Sequence, residues 1–212
     1  MPAMKIMFIR HAEKPTRTKQ GVSAAGAKDP EELVVRGWQR SGALVRFFAP
    51  RDGKFVDPRL SKPNTIFASG IGGGGKSLRP QHTVQALAKE LGLILNRRYP
   101  KGAESRLAKA AVAAKGPVLI AWQHEAIPAI VNAIVGNKTT CPQKWRSSRF
   151  DLVWVLDRRA NGVGWKFRQV PQMLLPGDSD EPIARSESDF GGRVGAPLKL
   201  DGALRGVPDL AI

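Results

Sequence analysis

Cysteine is nearly absent from this chain, whose 212 residues include one, Cys141. A single cysteine excludes an internal disulfide framework and fits a reducing, cytoplasmic setting. Followed by a proline and with no histidine beside it, Cys141 reads as a packing residue. Long apolar runs are missing as well. None approaches the roughly 18 residues that a membrane span requires, and Ile6 to Ile9 before Arg10 is too short for the apolar core of a signal peptide. The expectation is a cytoplasmic protein without a membrane partner. Aromatic residues make up 7% and tyrosine occurs once; with no recognisable binding motif, this speaks against nucleic acid as a partner. Histidine occurs three times, as His11, His82 and His124. Acidic residues are scarce too: 18 Asp and Glu stand against 34 Lys and Arg, a formal net charge of +16. The excess is uneven, with 26 basic and 9 acidic residues in 1–150 (+17) but 8 and 9 in 151–212 (−1). A positive field of this size draws anions, such as phosphorylated metabolites, phosphoproteins or acidic surfaces.

What is present is ordinary globular material. The chain is 42% hydrophobic and 25% charged, and chains near this length bury roughly 70% of their unfolded surface. Short apolar runs bounded by turn residues read as buried strands at 5–9, 65–69 and 118–122. Helical spacing follows at 30–48, opened by Pro30-Glu31-Glu32, and again at 79–91, 104–115 and 126–135. Strands at 152–156 and 164–170 flank Asn161-Gly162, a hairpin signal. The predicted class is α/β, a three-layer α/β/α arrangement. Its central sheet is mostly parallel, with helices on both faces and an antiparallel hairpin at one edge. Residues 1–175 form the domain. Residues 176–212 are a Gly-, Pro- and Asp-rich tail that wraps the surface or is partly disordered. No internal repeat is visible, and nothing in the sequence speaks to oligomeric state.

In open α/β sheets, ligands gather at the carboxyl ends of the strands. Arg10-His11 follows the first strand, Arg79 comes soon after the second, and His124-Glu125 follows the third. A different pattern competes for the second strand end. Gly70 through Ser77 matches the Gly-x-x-x-x-Gly-Lys-Ser P-loop signature between a strand and a helix, with Lys76 and Ser77 as its phosphate and magnesium residues and Asp157 as an acidic partner. Pro80 so early in the helix disturbs the run of amides that a P-loop needs, and this reading leaves both strand-end histidines unused.

Arg10-His11-Ala12, Arg36-Gly37 in the first helix, Arg79 and His124 together resemble the histidine phosphatase superfamily, the phosphoglycerate mutase-like fold, over about residues 5–170. The resemblance implies phosphoryl transfer through a phosphohistidine without metal or other cofactor. It assigns His11 as nucleophile and Arg10, Arg79 and His124 as the phosphate pocket, acting on a small-molecule or protein-borne phosphate. A neutral imidazole suits attack on a nearly dianionic ester, and arginine grips phosphate oxygens bidentately without losing its charge. The proton donor is the open position. Glu125 is favoured, with Glu104 and Glu13 as alternatives. The four glycines between Ser69 and Arg79 depart from the family pattern and leave Lys76 as a substitute for Arg79. His82 reads as helix surface or pocket rim. The remaining alternative is a phosphate-binding member of the same fold that has lost catalysis.

Overall fold

The computed structural model describes residues 4–72 and 75–185. The strands are β1 (Lys5–Arg10), β2 (Thr65–Ala68), β3 (Val118–Trp122), β4 (Leu152–Arg158) and β5 (Trp165–Pro171). The helices are α1 (Val35–Phe48), α2 (Arg79–Glu90), α3 (Glu104–Ala113) and α4 (Ile127–Val135). One sheet runs in the order β2-β3-β1-β4-β5. β2 and β1 both pair parallel with β3, while β4 runs antiparallel to β1 and to β5. The fold is thus α/β, with a parallel half and an antiparallel half meeting at β1. Asn161 and Gly162 sit at the tip of the edge hairpin, where Gly162 and Gly164 take φ of 72° and 77°.

β1 reads as continuous hydrophobe because both of its faces are covered. Side chains alternate across a strand. Ile6 and Phe8 therefore pack with Leu107 of α3 and Ile130 of α4, while Met7 and Ile9 pack with Leu44 of α1 and Leu87 of α2. Three tryptophans reinforce the first face: Trp145 and Trp154 lie 4.7 Å apart between ring centroids, and Trp122 is fully buried. Cys141 is buried in the same cluster.

The first helix starts later than expected. Pro30-Glu31-Glu32 lies in a turn and α1 begins at Val35, with no acidic residue in its first turn. Tertiary partners take those residues first. The Leu33 carbonyl accepts from the Val22 amide, the Val34 amide donates to the Glu13 carbonyl at 3.1 Å, and the Glu32 carboxylate faces His82. β4 and β5 extend to 152–158 and 165–171, because pairing along the full hairpin satisfies the polar ends of both strands.

The start of the expected tail is held to the body. Gln169 bonds both the amide and the carbonyl of Ile183, whose side chain is buried, and Asp178 accepts from the Leu174 and Leu175 amides. The remainder of the expected tail, 186–212, lies outside the described residues.

Gly37 sets how closely α1 approaches the end of β1. A Cβ there would stand 2.6 Å from the Glu13 carbonyl oxygen and 3.1 Å from its amide nitrogen. Backbone on both sides leaves little room to yield. Gly37→Ala is expected to destabilise the protein by roughly 1–3 kcal/mol in urea unfolding; an unchanged midpoint would show that the helix simply shifts.

Candidate active site

β1, β2 and β3 end level with one another, Arg10 being paired with Trp122 and Ala68 with Ala121. The next residues, His11, Ser69 and Gln123-His124, therefore emerge side by side at one edge of the sheet. His11 begins there with its amide donating to the Trp122 carbonyl at 3.0 Å. The Ala12 amide then donates to Thr83 Oγ1 at 2.8 Å, and that hydroxyl donates to the Arg79 carbonyl at 2.7 Å. Thr83 thus ties the histidine turn to the first turn of α2, which carries Arg79.

His11, Arg79, His124 and Glu125 line one cleft of about 390 Å³, with Lys14, Lys76 and Lys101 around it. His11 Nδ1 lies 2.8 Å from the Ala12 carbonyl oxygen. A carbonyl only accepts, so Nδ1 carries the proton and Nε2 keeps its lone pair. Burial, reinforced by the Arg10 charge, pushes the His11 imidazole down to about 3, so it is neutral at physiological pH. The consequence for stability has a definite sign. The unfolded chain takes up a proton below about 6.5 and the folded chain does not, so stability is lost as pH falls from 6.5 toward 3. By pH 5 this cost is about 2 kcal/mol. His11→Gln is expected to remove it, so that its stability relative to the parent rises by that amount between pH 8 and pH 5 in chemical unfolding. A constant difference would refute the buried neutral imidazole.

Arg10, which precedes His11, is 1% exposed and does not itself line the cleft. One face of its guanidinium is 3.7 Å from the Phe150 ring centroid, and Nη1 donates to the Ser147 carbonyl. Nε and Nη2 are buried without a partner among the described residues, as is Nε of Arg79. Buried guanidinium donors left unmatched beside a neutral histidine are what an anion with several oxygens would satisfy. Desolvation lowers Arg10 to about 10, still fully charged at neutral pH. His124 is lowered as well, by burial first and then by Arg10. Its Nδ1 lies 2.9 Å from Glu125 Oε2 without the alignment of a hydrogen bond.

The three candidate acids part company. Glu125 stands at the cleft, its Oε1 accepting from Lys101 at 2.8 Å. Burial pulls this carboxyl up, but the Lys101 hydrogen bond and the other favourable contacts outweigh it, leaving the group below its usual range. Glu104 does not line the cleft; its Oε1 accepts from the Trp122 indole and the Gly102 amide. Glu13 turns away into a buried ion network with Arg36 and Arg40.

The described residues of the glycine segment do not form a nucleotide cradle. Gly72 and Gly75 exchange two backbone hydrogen bonds across a tight turn, and Ser77 donates its hydroxyl to the Glu31 carbonyl. The intervening Gly73 and Gly74 lie outside the described residues. Asp157 pairs with Lys5 at the opposite end of β1, so the acid that a P-loop reading needs sits on the far edge of the sheet. β4 runs antiparallel, which carries its C-terminal residue away from the site. Lys76 lines the cleft rim, but Arg79 also reaches the cleft and does not need a substitute. His82 is held on α2 by Glu32 at 2.7 Å and stacks on Trp38. Among the described residues, no group of three or more His, Cys, Asp or Glu is arranged to hold a metal ion.

Phe150, Lys14, Lys101 and Thr83 were not singled out by sequence reasoning. Phe150 arrives just before β4, and strand beginnings carry no site signal unless the strand is known to run antiparallel.

No protein-family model and no curated protein matches the sequence. Solved structures do. Mycobacterial glucosyl-3-phosphoglycerate phosphatase complexed with VO3 aligns at TM-score 0.48 and 14% identity, covering 78% of this chain and 96% of that one. The protein histidine phosphatase SixA complexed with tungstate aligns at 0.47 and 13%, covering 80% and 97%. The ecdysone phosphate phosphatase of Bombyx mori, also with tungstate, aligns at 0.43 and 12%, covering 88% and 99%.

Proposed function

We propose that this chain is a histidine phosphatase, hydrolysing a phosphate monoester on a small molecule or a phosphoamino acid through a phosphohistidine on His11. The observation that carries the reading is the pairing of a buried, neutral His11, with Nε2 unprotonated, and Arg79 at one cleft, with unpartnered donors on Arg79 and on the buried Arg10 that precedes His11. Nε2 attacks phosphorus, and the bond from phosphorus to the ester oxygen breaks. The equatorial oxygens are held by Arg10, Arg79 and His124. Water then attacks the phosphoramidate, the P–N bond breaks, and inorganic phosphate leaves with the neutral histidine restored. Splitting the hydrolysis in two lowers each barrier, and the guanidinium donors offset charge that builds on the oxygens.

The leaving oxygen takes its proton from Glu125. This carboxyl is ionised in the free cleft at neutral pH, so its protonated fraction falls as pH rises. Hydrolysis of alkyl phosphates is therefore expected to climb toward acid pH, while His11 stays competent down to about 3. Glu125→Gln should lower kcat on alkyl phosphates by about a hundredfold and leave aryl phosphates nearly untouched. Equal losses on both would remove Glu125 from the donor role. The function itself is tested by aryl phosphate turnover in EDTA and in vanadate, together with alkaline quench of the labelled enzyme followed by separate acid and base treatment. Turnover that survives EDTA, stops with vanadate and leaves an acid-labile, base-stable phosphoenzyme supports the reading. Nucleotide hydrolysis that depends on magnesium, or no turnover, overturns it.

A further inference from the structure

A second cavity of about 370 Å³ shares a wall with the catalytic cleft. Lys14 lines both spaces. Phe150 lines the second, and its ring centroid is 6.1 Å from that of His11. The Ser147 carbonyl that orients Arg10 belongs to the same wall. A substrate whose phosphoryl group lies against His11 can therefore extend its alcohol portion past Phe150 into this space. The electrostatics of the cavity say what that portion carries. Arg36 and Arg40 are neutralised by Glu13 and Asp178, and Asp151 by Arg149. Lys14 and Lys19 remain, exposed and with no carboxylate at ion-pair distance among the described residues.

We propose that this cavity is a leaving-group subsite for a small organic phosphate ester bearing a second anionic group, a carboxylate or another phosphate, recognised by Lys14 and Lys19 beyond the face of Phe150. The proposal rests on the phosphatase reading and narrows it to doubly anionic esters. Phe150 beside the nucleophile holds the carbon skeleton, and two ammonium groups, Lys14 where the two spaces meet and Lys19 in the second, hold the charge. Lysine suits this task because it offers a mobile point charge to either kind of anion.

Three aryl substrates with similar leaving groups test it: phenyl phosphate, 4-carboxyphenyl phosphate and 1,4-phenylene bisphosphate. The two doubly anionic esters are expected to exceed phenyl phosphate in kcat/KM by roughly tenfold at low salt, mainly through KM. The advantage should shrink with added salt. Lys19→Gln, which lies outside the catalytic cleft, should cut the preference severalfold while leaving phenyl phosphate turnover unchanged, and Lys14→Gln should cut it further. A stronger preference for one of the two esters identifies the anion as carboxylate or phosphate. Equal kcat/KM on all three, or a preference that survives both substitutions, overturns the subsite and leaves the phosphatase reading standing. No turnover on any of them overturns both.

Discussion

Replacing His11 with alanine is expected to lower kcat on any phosphate ester by at least about ten-thousand-fold while changing phosphate or vanadate affinity far less. The split follows from how the cleft divides its work. In the proposed mechanism the histidine supplies the lone pair that forms the bond to phosphorus, whereas the donors proposed to hold the anion come from Arg10 and Arg79 and are present without it. The substitution should not unfold the protein. Among the described residues, the only side-chain hydrogen bond that His11 makes is to the carbonyl of its own neighbour, Ala12, and its backbone contact with Trp122 is unaffected by a shorter side chain. Arg79→Ala is the useful contrast, since it removes anion donors and should raise KM and the vanadate inhibition constant along with lowering kcat. Single-turnover measurement with an aryl phosphate decides the matter, and more than a tenth of parental kcat in the alanine variant would rule out His11 as the nucleophile.

Removing the Arg40 charge is expected to have the largest effect on stability, about 3–5 kcal/mol for Arg40→Met. Arg40 is 2% exposed and donates to both oxygens of Glu13, to both oxygens of Asp178 and to Gln172 Oε1. Its departure strands two carboxylates, one on the turn that follows His11 and one that caps the 174–178 segment. Arg36 reaches both but is more exposed and makes one contact to each. The pH dependence has a clear sign. Asp178 is subject first to burial, which raises it, but the Arg40 hydrogen bonds and the amides of Leu174 and Leu175 hold it below its ordinary value. Its contribution is therefore present above that ordinary value and is lost as pH falls through the lower, folded value. The deficit of Arg40→Met should be full at neutral pH and shrink in acid, as the stranded carboxylates protonate. Urea unfolding at pH 7 and pH 4 measures it. A deficit below 1 kcal/mol at pH 7, or one that grows in acid, would show that the network contributes little.

Much of this architecture was open to inspection in the chain itself. Ile6–Ile9 of β1 and the whole of β3 are short apolar runs closed by polar residues, the pattern of a strand covered on both faces. The first leads straight into His11 and the second reaches His124 after Gln123, so placing both strands in one sheet was enough to bring the two histidines to the same edge. Arg79, the first residue of α2, followed by the same logic. The start of α1 was not legible, because the residues that looked like a good helix opening are claimed by partners distant in sequence: Glu32 by His82, and the Leu33 and Val34 backbone by Val22 and Glu13. Helix propensity is a local quantity worth tenths of a kcal/mol per residue, and a few long-range hydrogen bonds override it.

The continuous apolar runs of β1 and β3 and the two histidines that follow them were determined by the order of residues alone. Which carboxylate faces the cleft was decided by the tertiary structure. Glu13, Glu104 and Glu125 are equivalent as letters, yet the fold spends one on Arg36 and Arg40, a second on the Trp122 indole and leaves the third at His124. The same holds for the shift in His11. A histidine after a strand is visible in any sequence, but its neutrality depends on burial beside guanidinium groups brought from Arg10 and Arg79, and desolvation exists only once the chain has closed around it.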